Sequence, residues 1–258
     1  METKIKEIVN WIKEETKKAH ADGVVVRISG GINSAVTVAL AQKAFPKNIK
    51  VVWMGIDSTK YARRNCNRVL LALELKETKV DLKPTLDQYI KDIFELELPI
   101  AKGDVETFTR KVNGEVMPHD MSYLKLENLD DIIENIKSRL RTATLYAWAQ
   151  RKNYLVLNTL SSSEIYVGEF TKWGDSVGDL APIAHLTKSE VYELAKELEL
   201  PELVIETNKE YDEGHKVLNY LDVDNFMAQK EIPSDKKTLI EKLHQEAELN
   251  LIGVKKIN

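Results

Sequence analysis

Two hydroxyls, two glycines and a carboxamide fall together in the segment Ser29-Gly30-Gly31-Ile32-Asn33-Ser34, directly after the apolar run Val24-Val25-Val26-Arg27-Ile28. The periodic stretch Val36-Thr37-Val38-Ala39-Leu40 follows. A buried strand that ends in a glycine turn and restarts as a helix is suited to holding phosphate. The glycines let the backbone approach an anion, several N–H groups converge on it, and the helix start contributes the positive end of its dipole. Ser29 and Ser34 add hydroxyl donors. The turn lacks the Gly-Lys-Ser/Thr ending of a Walker loop, and Gly-x-Gly-x-x-Gly is absent from the chain, which disfavours P-loop hydrolases and simple dinucleotide dehydrogenases.

A second group of candidates begins where another apolar run, Tyr154-Leu155-Val156-Leu157, stops. It runs Asn158-Thr159-Leu160-Ser161-Ser162-Ser163-Glu164, continues through Gly168 to Asp179, and ends at Leu186-Thr187-Lys188-Ser189. In a doubly wound sheet, ligands bind outside the carboxyl ends of the strands where the strand order reverses, and both groups fall at such ends. Thr159 and Glu164 can therefore share a nucleotide with Ser29 and Ser34. A carboxylate beside phosphate calls for an intervening cation, so Glu164 implies Mg²⁺.

The elements that must position these residues alternate between apolar strands and amphipathic helices, the pattern of a parallel sheet covered on both faces. Ile5, Ile8, Val9 and Ile12 recur at helical spacing and predict an opening helix. Strands are predicted at 24–28, 51–56, about 78–82 and 154–157, with a short fifth one at Ala181-Pro182-Ile183. Helices are predicted over about 34–44, 60–75, 84–98, 129–151 and 188–198. The expected class is α/β: a doubly wound, mostly five-stranded parallel sheet of Rossmann-like type. Residues 99–127 have no sustained period and read as a long excursion, with a hairpin signal at Asn113-Gly114.

Composition agrees with a single compact enzyme domain over 1–258: 43% of residues are hydrophobic and 30% charged. A formal charge of −4 and a pI near 5.9 argue against a general nucleic-acid binder. No apolar run is long enough for a membrane span, and Cys66 has no second cysteine with which to form a disulfide, so a cytoplasmic protein is expected. The histidines at 20, 119, 185, 215 and 244 lack metal-ligand spacing. Trp11, Trp53 and Trp148 sit at apolar positions and are expected in the core.

The glycine turn resembles the pyrophosphate loop of the ATP pyrophosphatases, Ser-Gly-Gly-x-Asp-Ser. An ordered series then narrows the resemblance to the ammonia-dependent NAD synthetases. It comprises Asn135-Ile136-Lys137-Ser138-Arg139-Leu140-Arg141, then Thr159 and Glu164, then Phe170-Thr171-Lys172-Trp173-Gly174-Asp175, Asp179 and Lys188. The resemblance covers residues 128–200 well and 1–98 loosely. It implies that Ser29, Gly30, Gly31, Ile32, Asn33 and Ser34 hold the β,γ-phosphates of ATP, and that Thr159 and Lys188 also contact ATP. It implies further that Glu164 and Asn33 ligate Mg²⁺, that Arg139, Lys172 and Asp179 bind deamido-NAD, and that Ser29, Ser34 and Lys188 serve the chemistry. The implied reaction is amidation of deamido-NAD by free ammonia through an acyl-adenylate, in a homodimer with the dinucleotide at the interface.

The chain departs from the family pattern at four places. Asn33 stands where the family has Asp, and Asn158-Thr159-Leu160-Ser161 lacks the glycines of the usual turn. The lid segment is replaced by Glu206-Thr207-Asn208-Lys209-Glu210, about ten residues being missing before Asp212, and its ATP-contacting threonine falls on Glu210. The family's carboxyl-terminal His-Lys pair has no counterpart in Leu251 to Asn258. Two other readings stand beside the synthetase: a weakened or non-catalytic paralogue that binds nucleotide, and another amidase or tRNA-thiolating enzyme of the same superfamily.

Overall fold

The computed structural model of the chain describes residues 1–56, 58–97, 129–214 and 218–251. The 99–127 excursion, His119, His215 and the end of the chain from 252 lie outside the described residues.

Four parallel strands form one sheet: β1 (Gly23–Arg27), β2 (Ile49–Gly55), β3 (Glu77–Asp81) and β4 (Tyr154–Leu157), in the order β3-β2-β1-β4. Val26 pairs with Val51 on one side and Leu157 on the other, so the order reverses at β1. The predicted fifth strand at 181–183 is reduced to a single bridge between Leu157 and Leu180. Pro182 follows at once, and its missing N–H cannot extend a ladder.

Strand alternation sends neighbouring side chains to opposite faces. Val24, Val26 and Val51 face α1 (Glu2–Lys18), α2 (Ile32–Ala44) and α3 (Lys60–Ala72), whereas Val25, Val52 and Val156 face α4 (Lys83–Glu97) and α5 (Leu129–Lys152). Ile5, Ile8, Val9 and Ile12 of α1 are buried as their spacing predicts. The remaining helices are α6 (Ser162–Val167), α7 (Lys188–Glu197), α8 (Glu202–Gly214), α9 (Tyr220–Met227) and α10 (Ser234–Leu251).

Helix α2 is buried on nearly all sides, because α1, α7 and α8 cover whatever β1 leaves free. A helix apolar all round must be enclosed in this way. Its start is thereby fixed in the middle of the molecule. A separate apolar cluster of Tyr220, Val223 and Ile240 joins α6, α9 and α10. Of the three expected core tryptophans, Trp53 is buried and Trp148 packs at the edge of the second cluster beneath Lys50, whereas Trp11 is 39% exposed. Trp11 lies on an outer position of α1, where it lines a shallow surface pocket with Ala181, Pro182 and His185.

Candidate active site

Three connections converge at the strand-order reversal: β1 into α2, β4 into α6, and the segment leading into α7. They enclose an open cleft of about 480 Å³ lined by Ser29, Gly31 to Ser34, Thr159, Glu164 and Lys188, together with residues the sequence reading did not select.

The first wall is the glycine turn. Gly30 has a φ of +91°, and a Cβ there would lie 2.3 Å from the Ala62 carbonyl oxygen, so both conformation and space demand glycine. Ser34 Oγ donates to the Gly31 carbonyl at 2.8 Å and accepts from the Ser29 amide at 3.1 Å, which closes the turn on itself. Gly31 begins α2 without a side-chain cap. The Gly31 amide instead donates to Ser29 Oγ at 3.3 Å and the Ile32 amide to Asn208 Oδ1 at 3.2 Å. These weak side-chain acceptors stand where an anion at a helix start would take over.

The second wall is the turn after β4. It needs no glycine, because the Asn158 side chain shapes it: Oδ1 accepts from the Leu160 amide at 2.7 Å, and Nδ2 donates to the Asp175 carbonyl at 2.8 Å. This is an Asx turn replacing a glycine turn. Glu164 sits at the third position of α6, and its Oε2 accepts from the Ser161 amide at 2.8 Å and from Ser161 Oγ at 2.9 Å.

Glu164, Asn33 and Lys188 form one buried knot. Lys188 Nζ donates to Glu164 Oε1 at 2.9 Å and to Asn33 Oδ1 at 3.0 Å, and it lies 3.8 Å from Asp212 Oδ2 and 4.4 Å above the Tyr220 ring. With Oδ1 committed to the ammonium, the Asn33 amide nitrogen must donate, and it does so to Glu164 Oε2 and the Thr159 carbonyl. Burial opposes ionisation of Glu164, but the Lys188 charge and the Ser161 hydrogen bonds outweigh it and hold the carboxyl below its ordinary value. The knot places three oxygens, from Asn33, Glu164 and Asp212, around one positive charge. Such a donor set suits a hard cation, with Lys188 Nζ filling the seat.

A further layer positions the lysine. Asp224 of α9 accepts from Ser163 Oγ, and from the Ser189 amide and hydroxyl at 2.8 and 2.6 Å. Ser163 Oγ in turn accepts from the Lys188 amide at 2.8 Å. Asn208 ties α8 to the phosphate turn by donating to the Gly30 carbonyl at 3.1 Å. The sequence reading placed the family's threonine position on Glu210, which is exposed and does not line the cleft. Asn208 and Asp212, one helical turn apart on α8, line it instead. Their spacing was visible in the sequence, but nothing local marked that face as the one turned toward α2.

Arg139, Lys172 and Asp179 lie beside the cleft, outside its lining. Arg139 is exposed and donates from Nε to the Lys172 carbonyl at 3.2 Å. Lys172 Nζ lies 5.7 Å from the exposed Trp173 ring. Asp179 Oδ2 accepts from the Val156 amide at 2.7 Å, so this carboxylate has a structural task at the end of β4. Phe170, Thr171 and Asp175 connect this region to the cleft. Ser138 Oγ accepts from the Asp175 amide at 2.9 Å, and Thr171 Oγ1 donates to Asn135 Oδ1 at 2.8 Å, so α5 holds the 171–175 segment in place.

The family model described as NAD synthase matches residues 4–257. The chain belongs to the NAD synthase family. Among relatives, the NH₃-dependent NAD⁺ synthetase of Mycoplasmopsis pulmonis is 36% identical over 93% of this chain and 84% of its own length. That of Carboxydothermus hydrogenoformans is 34% identical over 88% of this chain and 85% of its own. Two solved structures share the fold. The NMN synthetase of Francisella tularensis superposes with a TM-score of 0.79 at 24% identity, over 100% of this chain and 98% of its own. The NH₃-dependent NAD synthetase of Campylobacter jejuni gives 0.73 at 24% identity, over 100% and 99%. The resemblance read from the 135–188 residue series is therefore a family relationship spanning nearly the whole chain. Among the described residues, no helix is long and apolar enough to cross a membrane.

Proposed function

We propose that the chain is an ammonia-dependent NAD synthetase, joining ammonia to deamido-NAD at the expense of ATP. The observation that carries this reading is the meeting of the Ser29–Ser34 turn with Glu164 and Lys188 in one cleft. A carboxylate oxygen of deamido-NAD attacks the α-phosphorus of ATP, and the bond from that phosphorus to pyrophosphate breaks. Ammonia then attacks the acyl carbon, the bond to AMP breaks, and the nitrogen gives up a proton to leave the amide.

Positioning and charge neutralisation account for most of what such a reaction needs from the protein. The Gly31 and Ile32 amides, Ser29 and Ser34 receive the terminal phosphates. Thr159 adjoins the nucleotide, and Lys188 transfers its charge from Glu164 to the departing pyrophosphate. Glu164, Asn33 and Asp212 are the residues that would hold Mg²⁺, whose chemical contribution is neutralisation of phosphate oxygens. Arg139, Lys172 and Asp179 are assigned to deamido-NAD. A homodimer is supported by the exposed apolar side chains of Ile132 and Tyr146, each seven residues from Arg139 on α5, and of Trp173, next to Lys172; they are 41%, 36% and 53% accessible.

Incubation with ATP, Mg²⁺, deamido-NAD and ammonium should yield NAD, AMP and pyrophosphate in equal amounts. Absence of NAD at saturating substrates overturns the assignment. Light scattering at working concentration tests the dimer separately.

A further inference from the structure

Arg27 ends β1 with its guanidinium in the wall of the cleft, two residues before Ser29. It shares the sheet face of Val25, the side covered by α5, and Arg141 of that helix is a like charge that acts on it. The carboxylate that acts on it is Asp175, whose Oδ1 already accepts from the Thr171 amide at 2.7 Å. Among the described residues, no carboxylate forms an ion pair with Arg27 and no acceptor hydrogen-bonds it. Burial and Arg141 push it down to about 10, which still leaves it charged at neutral pH.

A part-exposed guanidinium that lines a cleft with no hydrogen bond or ion pair of its own stands ready for an anion that enters the cleft. The position says which anion. On one side of Arg27 is the serine-glycine turn, and on the other are Thr171 and Asp175, at the end of the segment that leads to Lys172 and Asp179.

We infer that Arg27 is a substrate-binding residue that clamps the phosphate joining the two halves of the reaction, the α-phosphate of ATP and then of the acyl-adenylate. This rests on the proposed function. The turn at Ser29 to Ser34 grips the leaving pyrophosphate, while the planar fork of Arg27 addresses the phosphate that stays with the adenylate.

Calorimetric titration with AMP and with inorganic pyrophosphate, on wild type, Arg27→Met and Arg27→Lys, separates the two grips. For Arg27→Met, AMP affinity is expected to fall about tenfold or more, while pyrophosphate affinity changes by less than about threefold. Arg27→Lys is expected to retain part of the AMP affinity. The thermal midpoint of unliganded Arg27→Met should stay close to or above that of wild type, since no hydrogen bond or ion pair is lost with the guanidinium. Unchanged AMP binding in Arg27→Met overturns the inference, as does a lowered midpoint with both ligands weakened alike. Wild type that binds neither ligand overturns the proposed function itself, a result separable from failure of Arg27 alone.

Discussion

Asn33 donates its amide hydrogen to the Glu164 carboxylate. An aspartate at this position would face Glu164 as a further negative charge, and with Asp212 also near, the single Lys188 ammonium could not offset all three carboxylates without a second cation. Asn33→Asp is therefore expected to destabilise the protein in chelator by on the order of 1–3 kcal/mol and to regain that stability when Mg²⁺ is added. Melting midpoints in the two conditions check this. Wild type, whose Lys188 already neutralises the knot, should show a much smaller response to Mg²⁺.

Asn208 fixes α8 to the phosphate turn through Gly30 and Ile32. Replacing it with alanine removes both contacts and leaves the turn less well ordered before ATP arrives. Asn208→Ala should raise KM for ATP by about tenfold with a smaller change in kcat, equivalent to roughly 1.4 kcal/mol of binding. Steady-state kinetics with ATP varied would show it.

Gly30 combines a left-handed φ with a Cβ position only 2.3 Å from backbone oxygen of Ala62. Gly30→Ala must move either the turn or α3, at an expected cost on the order of 2 kcal/mol or more. Chemical denaturation should record that loss, and nucleotide binding should weaken with it.

Arg63 Nη1 donates to Glu77 Oε2 at 2.7 Å, joining α3 to β3, and these hydrogen bonds hold the Glu77 carboxyl below its ordinary 4.5. A carboxyl depressed in the folded state stabilises fully above its unfolded value, and the contribution is lost as pH falls through the folded value. Glu77→Gln should therefore lower the midpoint at about pH 6 and make less difference at about pH 3. An equal loss at both pH values would contradict the assignment.

Cys66 is fully buried on the inner face of α3, and desolvation pushes its thiol up to about 12. Iodoacetamide at about pH 8 should leave it unmodified in native protein and alkylate it in denaturant, as mass spectrometry would show.

The sequence by itself determined the strand–turn–helix at 24–44, because a short run of valines, a glycine pair and a helical apolar period are each local signals. It also determined the α/β class and, through the ordered residues from Asn135 to Lys188, the family. The fifth strand was misread because an apolar triplet around Pro182 cannot reveal that its neighbour offers only Leu157 as a bridge. Tertiary structure alone decided that Asn33, Glu164, Lys188 and Asp212 share one charge, since these contacts span from 24 to 155 residues along the chain. It alone turned Asn208 toward the phosphate loop and left Arg27 with neither a hydrogen bond nor an ion pair among the described residues. Local periodicity reports which face of an element is apolar, but the polar groups of a site are paired across elements, and that pairing exists only once the sheet has brought the strand ends together.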